Sequence, residues 1–190
     1  MAEQLIEGET LTKLNYSTEE LSKTEFEGCT FVNCLFTDAN LSNTAFAECE
    51  FIDCDFTTAK LLNTAFREVS FKNCKLAGLN FSVCNSFLLE FRFDNCLMNY
   101  TVFHQLLLKK TKFINCTIEE ADFSDADLTE AVFDNCNLNR TLFTGTNLQK
   151  ADFRTAHNYE IDPEFTKIAG AKFSLSGLPG LLAKYNIVVE

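Results

Sequence analysis

Residues 111–153 read TKFINCTIEEADFSDADLTEAVFDNCNLNRTLFTGTNLQKADF, and every fifth position from Phe113 is large and apolar: Phe113, Ile118, Phe123, Leu128, Phe133, Leu138, Phe143, Leu148 and Phe153. Two residues before the centre stands a small side chain, as at Cys116, Ala121, Ala126, Ala131, Cys136, Thr141, Thr146 and Ala151, and the other three positions are mostly polar. A period of five fits neither the 3.6-residue turn of an α-helix nor the two-residue alternation of a strand. It fits a chain that turns a corner every five residues, with the large centre and the small residue two before it facing inward. Four such corners close a square coil.

Outward from this stretch the same grid runs from Phe26 in steps of five to Phe81, and from Leu88 in steps of five to Phe153. Sixteen of the chain's 20 Phe lie on it, and none of its centres is polar. A 20-residue period overlies the five: Cys34, Cys54 and Cys74, then Cys96, Cys116 and Cys136, with a polar ladder of Asn33, Asp53, Asn73, Asn95, Asn115 and Asn135. The step between the two sets is 22, so two extra residues lie between Phe81 and Phe93 in SVCNSFLLEFR, where a local bulge is expected, with Leu88 as the first centre after it. Such a chain is a solenoid whose coils stack as short parallel strands, and Phe26 to Phe153 spans roughly 30 Å at about 4.8 Å per coil. Leu11, Tyr16 and Leu21 keep the phase upstream, but Glu9 and Glu19 occupy inward slots. The expected organisation is an N-terminal cap (1–22), the coil (23–155) and a C-terminal capping and dimerisation segment (156–190).

A length of 190 residues suits one domain. A net charge of −11 repels nucleic acid and anionic lipid and favours basic partners. The start, MAEQLIEGETLTKL, lacks a basic region followed by an apolar stretch, and no apolar run approaches the ~18 residues of a membrane span, so a cytoplasmic protein without membrane or direct nucleic-acid contact is expected. Eight of the nine Cys fall on the small inward slot, and Cys84 joins them if Ser86 is a centre. They read as packing groups rather than as a disulfide framework or zinc site. His104 and His157 lack a nucleophile in a recognised motif, and neither GxxxxGK[ST] nor GxGxxG occurs. No cofactor and no catalysis are expected; the surface must act by binding.

Two segments are candidates for that binding. Glu119, Glu120, Asp122, Asp125, Asp127, Glu130 and Asp134 fall within sixteen residues that contain no Lys or Arg. They read either as a solvated face or as a mimic of DNA phosphates offered to a basic groove. In the tail, Pro163 can open a turn, Leu178, Leu181, Leu182 and Tyr185 can form one apolar helical face, and Ile187, Val188 and Val189 a short strand. An apolar end of this kind suits a homodimer seam.

Stretches such as ANLSN (39–43), ADFSD (121–125), ADLTE (126–130) and TNLQK (146–150) resemble the A(D/N)LXX consensus of pentapeptide repeat proteins. The resemblance implies an all-β, right-handed quadrilateral parallel β-helix with a short C-terminal helical dimerisation segment. The tail, NYEIDPEFTKIAGAKFS (158–174) followed by GLPGLLAKYNIVV (177–189), is similar to that of the gyrase-protecting branch. That branch includes the quinolone-resistance (Qnr) proteins, the mycobacterial fluoroquinolone-resistance protein and the immunity proteins against microcin B17 and albicidin. It implies a tail-to-tail homodimer that mimics DNA, binds DNA gyrase or topoisomerase IV, and protects the enzyme from inhibitors or toxins. The two loops that interrupt Qnr coils are missing, so the chain looks closer to the loop-free immunity proteins. The alternative is a scaffold whose faces recruit another partner.

Overall fold

The computed structural model describes residues 4–19 and 21–188. They form a right-handed, four-sided parallel β-solenoid of about eight turns. One face is a sheet of β1 (Gln4–Glu7), β3 (Thr24–Glu27), β5 (Ala45–Ala47) and β7 (Ala65–Arg67). The next is a nine-stranded sheet of β2 (Thr10–Thr12), β4 (Thr30–Val32), β6 (Glu50–Ile52), β8 (Val69–Lys72), β9 (Phe91–Asp94), β10 (Lys112–Ile114), β11 (Val132–Asp134), β12 (Asp152–Phe153) and β13 (Lys172–Phe173). Single parallel bridges, such as Cys-flanked Leu35 to Asp55 and Asp122 to Leu142, hold the other two faces. Nine strands are eight spacings of about 4.8 Å, a rod of roughly 38 Å.

The register is the sequence period made spatial. Phe31 pairs with Phe51, Phe51 with Phe71, and Phe113 with Phe133. Their rings stack at the strand pitch: Phe31–Phe51 at 4.7 Å, Phe93–Phe113 at 5.2 Å and Phe113–Phe133 at 4.8 Å between centroids, while rings on neighbouring faces meet edge to face, as Phe113 does Phe123. Both geometries are favourable for aromatic quadrupoles. All nine cysteines are free and buried.

The small slot proves to be chemically as well as sterically selective. At many of the Thr and Cys slots the side chain meets the carbonyl of a Phe, Leu or Ile centre one coil earlier. Thr44 Oγ1 donates to Leu21 O (3.0 Å), Thr64 to Leu41 O (2.8 Å) and Thr146 to Phe123 O (2.8 Å), and Cys74 and Cys136 direct Sγ at Phe51 O and Phe113 O (3.3 Å each). Threonine and cysteine are small and still offer a donor to a buried carbonyl, which explains their share of the slot.

The polar ladder marks corners. Asn33, Asp53, Asn73, Asn95, Asn115 and Asn135 all have left-handed backbone, φ 52 to 55°, which Asn and Asp tolerate better than other side chains. Their amides also join coil to coil: Asn73 Nδ2 donates to Asp53 Oδ1, Asn95 Nδ2 to Asn73 Oδ1 and Asn135 Nδ2 to Asn115 Oδ1, each 2.9 Å.

Three expectations are corrected. At the slip, Leu88 is not a centre; it lies 65% exposed in a left-handed corner at φ 57°. The original five-residue step persists to Ser86, which is also exposed, and then to Phe91. Phe91 pairs with Val69 and Phe93 with Phe71. A ring thus enters a slot that mostly holds a small residue, because the missing centre leaves a void above Phe66. Phe91 fills it, with centroids 5.5 Å from Phe66 and 5.2 Å from Phe81.

The coil also overruns the span 23–155. β1 and β2 already pair with β3 and β4, and β13 pairs with β12. Glu9 and Glu19 are exposed, so the first turns carry the polar end while hydrogen-bonded as coil. In the tail, the short helical segment consists of two 3₁₀ helices, Leu175–Leu181 and Ala183–Tyr185, with Pro179 inside the first. Ile187 and Val188 form no strand, and Val189 lies outside the described residues.

Candidate interaction surface

Outward side chains occupy columns in which each residue stands over the one a coil earlier, so charge must be read by column. The seven acids at 119–134 flank four successive centres, Ile118, Phe123, Leu128 and Phe133, and so wrap the coil, and their neighbours lie one coil away. Arg140 approaches Glu120 (3.8 Å), Lys109 approaches Asp127 (3.3 Å), and Glu130 lies between Lys110 (3.9 Å) and Lys150 (3.6 Å). Burial alone would raise the Asp127 carboxyl, but hydrogen bonds from Thr129 and the Lys109 ammonium outweigh it and hold it below the usual carboxylate range. Glu119 accepts from Asn137 (2.6 Å), Asp122 from the Ser124 N–H (2.8 Å) and Asp134 from Thr155 (2.8 Å). Asp125 stands beneath Gly145, where an added Cβ would come within 2.1 Å of Asp125 Oδ1 at φ 74°. Thus Glu120, Asp127 and Glu130 are locally neutralised, while Glu119, Asp122, Asp125 and Asp134 have no cation within ion-pair reach among the described residues.

A second acidic feature escapes a linear reading. Glu7, Glu9, Glu27, Glu48, Glu50, Glu68 and Glu90 are exposed and line one edge of the coil across its first turns. Glu7 stands in register with Glu27, and Glu48 and Glu68 occupy successive left-handed corners at φ 53° and 54°. Glu48, Glu68 and Glu90 border one groove with Ser70 and Arg92. None has an ion-pair partner among the described residues; the nearby Arg67 turns to Glu25 instead (3.3 Å). Like charges stacked at the strand pitch cost stability. These acids are far apart in sequence, and only a search at the 20-residue spacing would have found them.

The tail seals the last coil. Leu181 packs on the core, and Gly177 and Gly180 let the 3₁₀ helix lie on Tyr159; a Cβ at Gly180 would sit 2.2 Å from the Tyr159 carbonyl oxygen. Lys184 clamps it, with Nζ 2.8 Å from both Asp162 and Glu164, and its hydrogen bonds hold both carboxyls below their usual range. Of the expected seam residues, Leu178, Leu182, Tyr185, Ile187 and Val188 present apolar surface outward, together with Leu175 at 88% exposure. Among the described residues, no three His, Cys, Asp or Glu converge as a metal site would require, and no helix is long and apolar enough to cross a membrane.

The family model described as pentapeptide repeat region matches residues 45–123 and 108–181, and that of pentapeptide repeats matches residues 20–51. No curated protein matches the chain. Among solved structures, a trypsin-treated variant of QnrB1, a plasmid-mediated fluoroquinolone resistance protein, aligns over 98% of this chain and 97% of its own with TM-score 0.63 at 18% identity. HetL, a pentapeptide repeat protein involved in heterocyst differentiation regulation from the cyanobacterium Nostoc sp. strain PCC 7120, aligns over 92% of this chain and 89% of its own with TM-score 0.46 at 18% identity. At such identities the likeness is one of fold.

Proposed function

We propose that this chain, which belongs to the pentapeptide repeat family, is a DNA-mimicking binding protein that engages a type II topoisomerase, DNA gyrase or topoisomerase IV, and protects it from inhibitors or toxins. The observation that carries the reading is the unneutralised acidic edge from Glu7 to Glu90 on a straight rod. Carboxylates are held in rows against their mutual repulsion, at a cost that folding does not require. A duplex of the same ~38 Å length carries about 22 negative charges at one per ~1.7 Å. The rod's net charge of −11 is about half of that, enough to compete for a groove of Lys and Arg at low salt. Glu119, Asp122, Asp125 and Asp134 extend the negative surface toward the tail, where Glu120, Asp127 and Glu130 are offset by cations. The family resemblance of the tail and the resistance role of QnrB1 support the choice of enzyme.

The tail supplies the second element. The outward Leu175, Leu178, Leu182, Ile187 and Val188 join two copies tail to tail through an isologous seam, giving a rod of about 75 Å. The deciding experiment is gyrase and topoisomerase IV supercoiling and relaxation with purified proteins, with and without a panel of poisons, across a salt series. Interference or protection should weaken as salt rises and with Glu48→Gln and Glu68→Gln together. Unchanged activity of both enzymes at excess protein, with and without poison, refutes the reading.

A further inference from the structure

The acidic edge reverses sign at the slip. Immediately after Glu90, Arg92 in β9 stands in register with Lys112 in β10, two like charges at the strand pitch. Lys109 and Lys110 occupy the adjoining corner. These four cations line an open groove of about 480 Å³ with Leu89 and Leu107, and Glu90 lines it as well. Lys109 and Lys110 share their charge with Asp127 and Glu130, but Arg92 and Lys112 have no acidic partner among the described residues. Elsewhere a lysine stands over an acid, as Lys75 over Asp55 and Lys172 over Asp152. Of the groove's apolar lining, Leu107 is 69% exposed, and Phe87 (66%) and Leu88 (65%), which precede Leu89 in the chain, are exposed as well; no core need explains them.

We propose that this groove binds a short acidic segment of a partner protein, a few carboxylates beside one large apolar side chain. The cations provide charge-assisted hydrogen bonds to carboxylates, and the exposed side chains provide the apolar contact that a purely ionic ligand would not use. The patch covers about two coils, roughly 10 Å, and is bounded by Glu68 and Glu90 on one side and Glu130 on the other. An extended polyanion lying along the rod therefore meets repulsion at the unpaired Glu68 and Glu90, which selects against a nucleic-acid strand. The site lies beyond the topoisomerase reading: it has the opposite charge, and its test needs no topoisomerase.

The probe is a fluorescein-labelled heptapeptide alternating glutamate with leucine and phenylalanine, titrated with the full chain by fluorescence anisotropy. Arg92→Ser with Lys112→Val uses side chains the chain itself places next in that column, Ser70 and Val132, so the melting temperature should hold. The double variant should bind about tenfold more weakly, the loss of two exposed ion pairs. Replacing the peptide's glutamates by glutamine, or its apolar residues by alanine, should weaken binding too. Absence of saturable binding overturns the proposal, as does equal binding by a folded double variant or stronger binding of an oligothymidylate of equal length.

Discussion

The sharpest test of the packing lies at the slip, where a strict five-residue grid puts Leu88 in the core and the structure puts Phe91 there. Phe91→Ala removes a ring that is 1% exposed and lies 5.2 to 5.5 Å from the rings of Phe81, Phe93 and Phe66. Such truncations cost about 3–5 kcal/mol, the lost transfer energy plus the cavity left behind. The half-buried Leu89 is free to settle into part of the space, which favours the lower end, about 3 kcal/mol. At about 2–4 °C per kcal/mol for a chain of this size, the melting temperature should fall by about 6–12 °C. Leu88→Ala trims an exposed corner and should change stability by no more than about 0.5 kcal/mol. Thermal melts followed by circular dichroism, with urea midpoints at unchanged slope, measure both. A loss of less than about 2 °C for Phe91→Ala, with a larger loss for Leu88→Ala, would refute the register assigned to the slip.

Burial pushes the Cys49 and Cys84 thiols from 9.0 up to about 12. The unfolded chain loses these protons first, so the stabilisation is complete below pH 9 and should drain away as pH climbs toward 12, seen as a falling melting temperature. At pH 8 the native thiols should be silent to Ellman's reagent, and all nine should react in denaturant; native reaction at the rate of a free thiol would contradict the inward placement. Asn95→Ala forces a Cβ-bearing residue without a polar side chain into φ 54° and loses the hydrogen bond to Asn73. About 1–2 kcal/mol, or about 2–8 °C, is expected from a thermal melt, with Asn95→Gly milder. Gly180→Ala, which drives a methyl into the Tyr159 carbonyl, and Lys184→Met, which releases Asp162 and Glu164, should each speed chymotryptic cleavage within the tail while the coil resists. Unaltered cleavage would show that the tail is held some other way.

The sequence by itself determined the coil. An inner wall of large apolar centres and mostly small partners leaves a period that no helix or strand shares, and that period places Phe31 over Phe51 and Cys34 beneath Cys54. It also located the slip, because a two-residue insertion shifts every later column. The tertiary structure alone decided what happens at the slip, since Ser86, Leu88 and Phe91 compete for one void and only the shape above Phe66 selects the ring. It decided the tail as well, where Pro179 and the close approach of Gly180 to Tyr159 favour short 3₁₀ turns. Above all it decided the charge map. Glu120, Asp127 and Glu130 look unopposed along the chain yet meet Arg140, Lys109, Lys110 and Lys150 in space, whereas Glu48, Glu68 and Glu90 look scattered and form a row. Apolar burial acts within a coil and so is written at short range. Charge acts through space between coils, about 5 Å apart across the stack and some twenty residues apart along the chain.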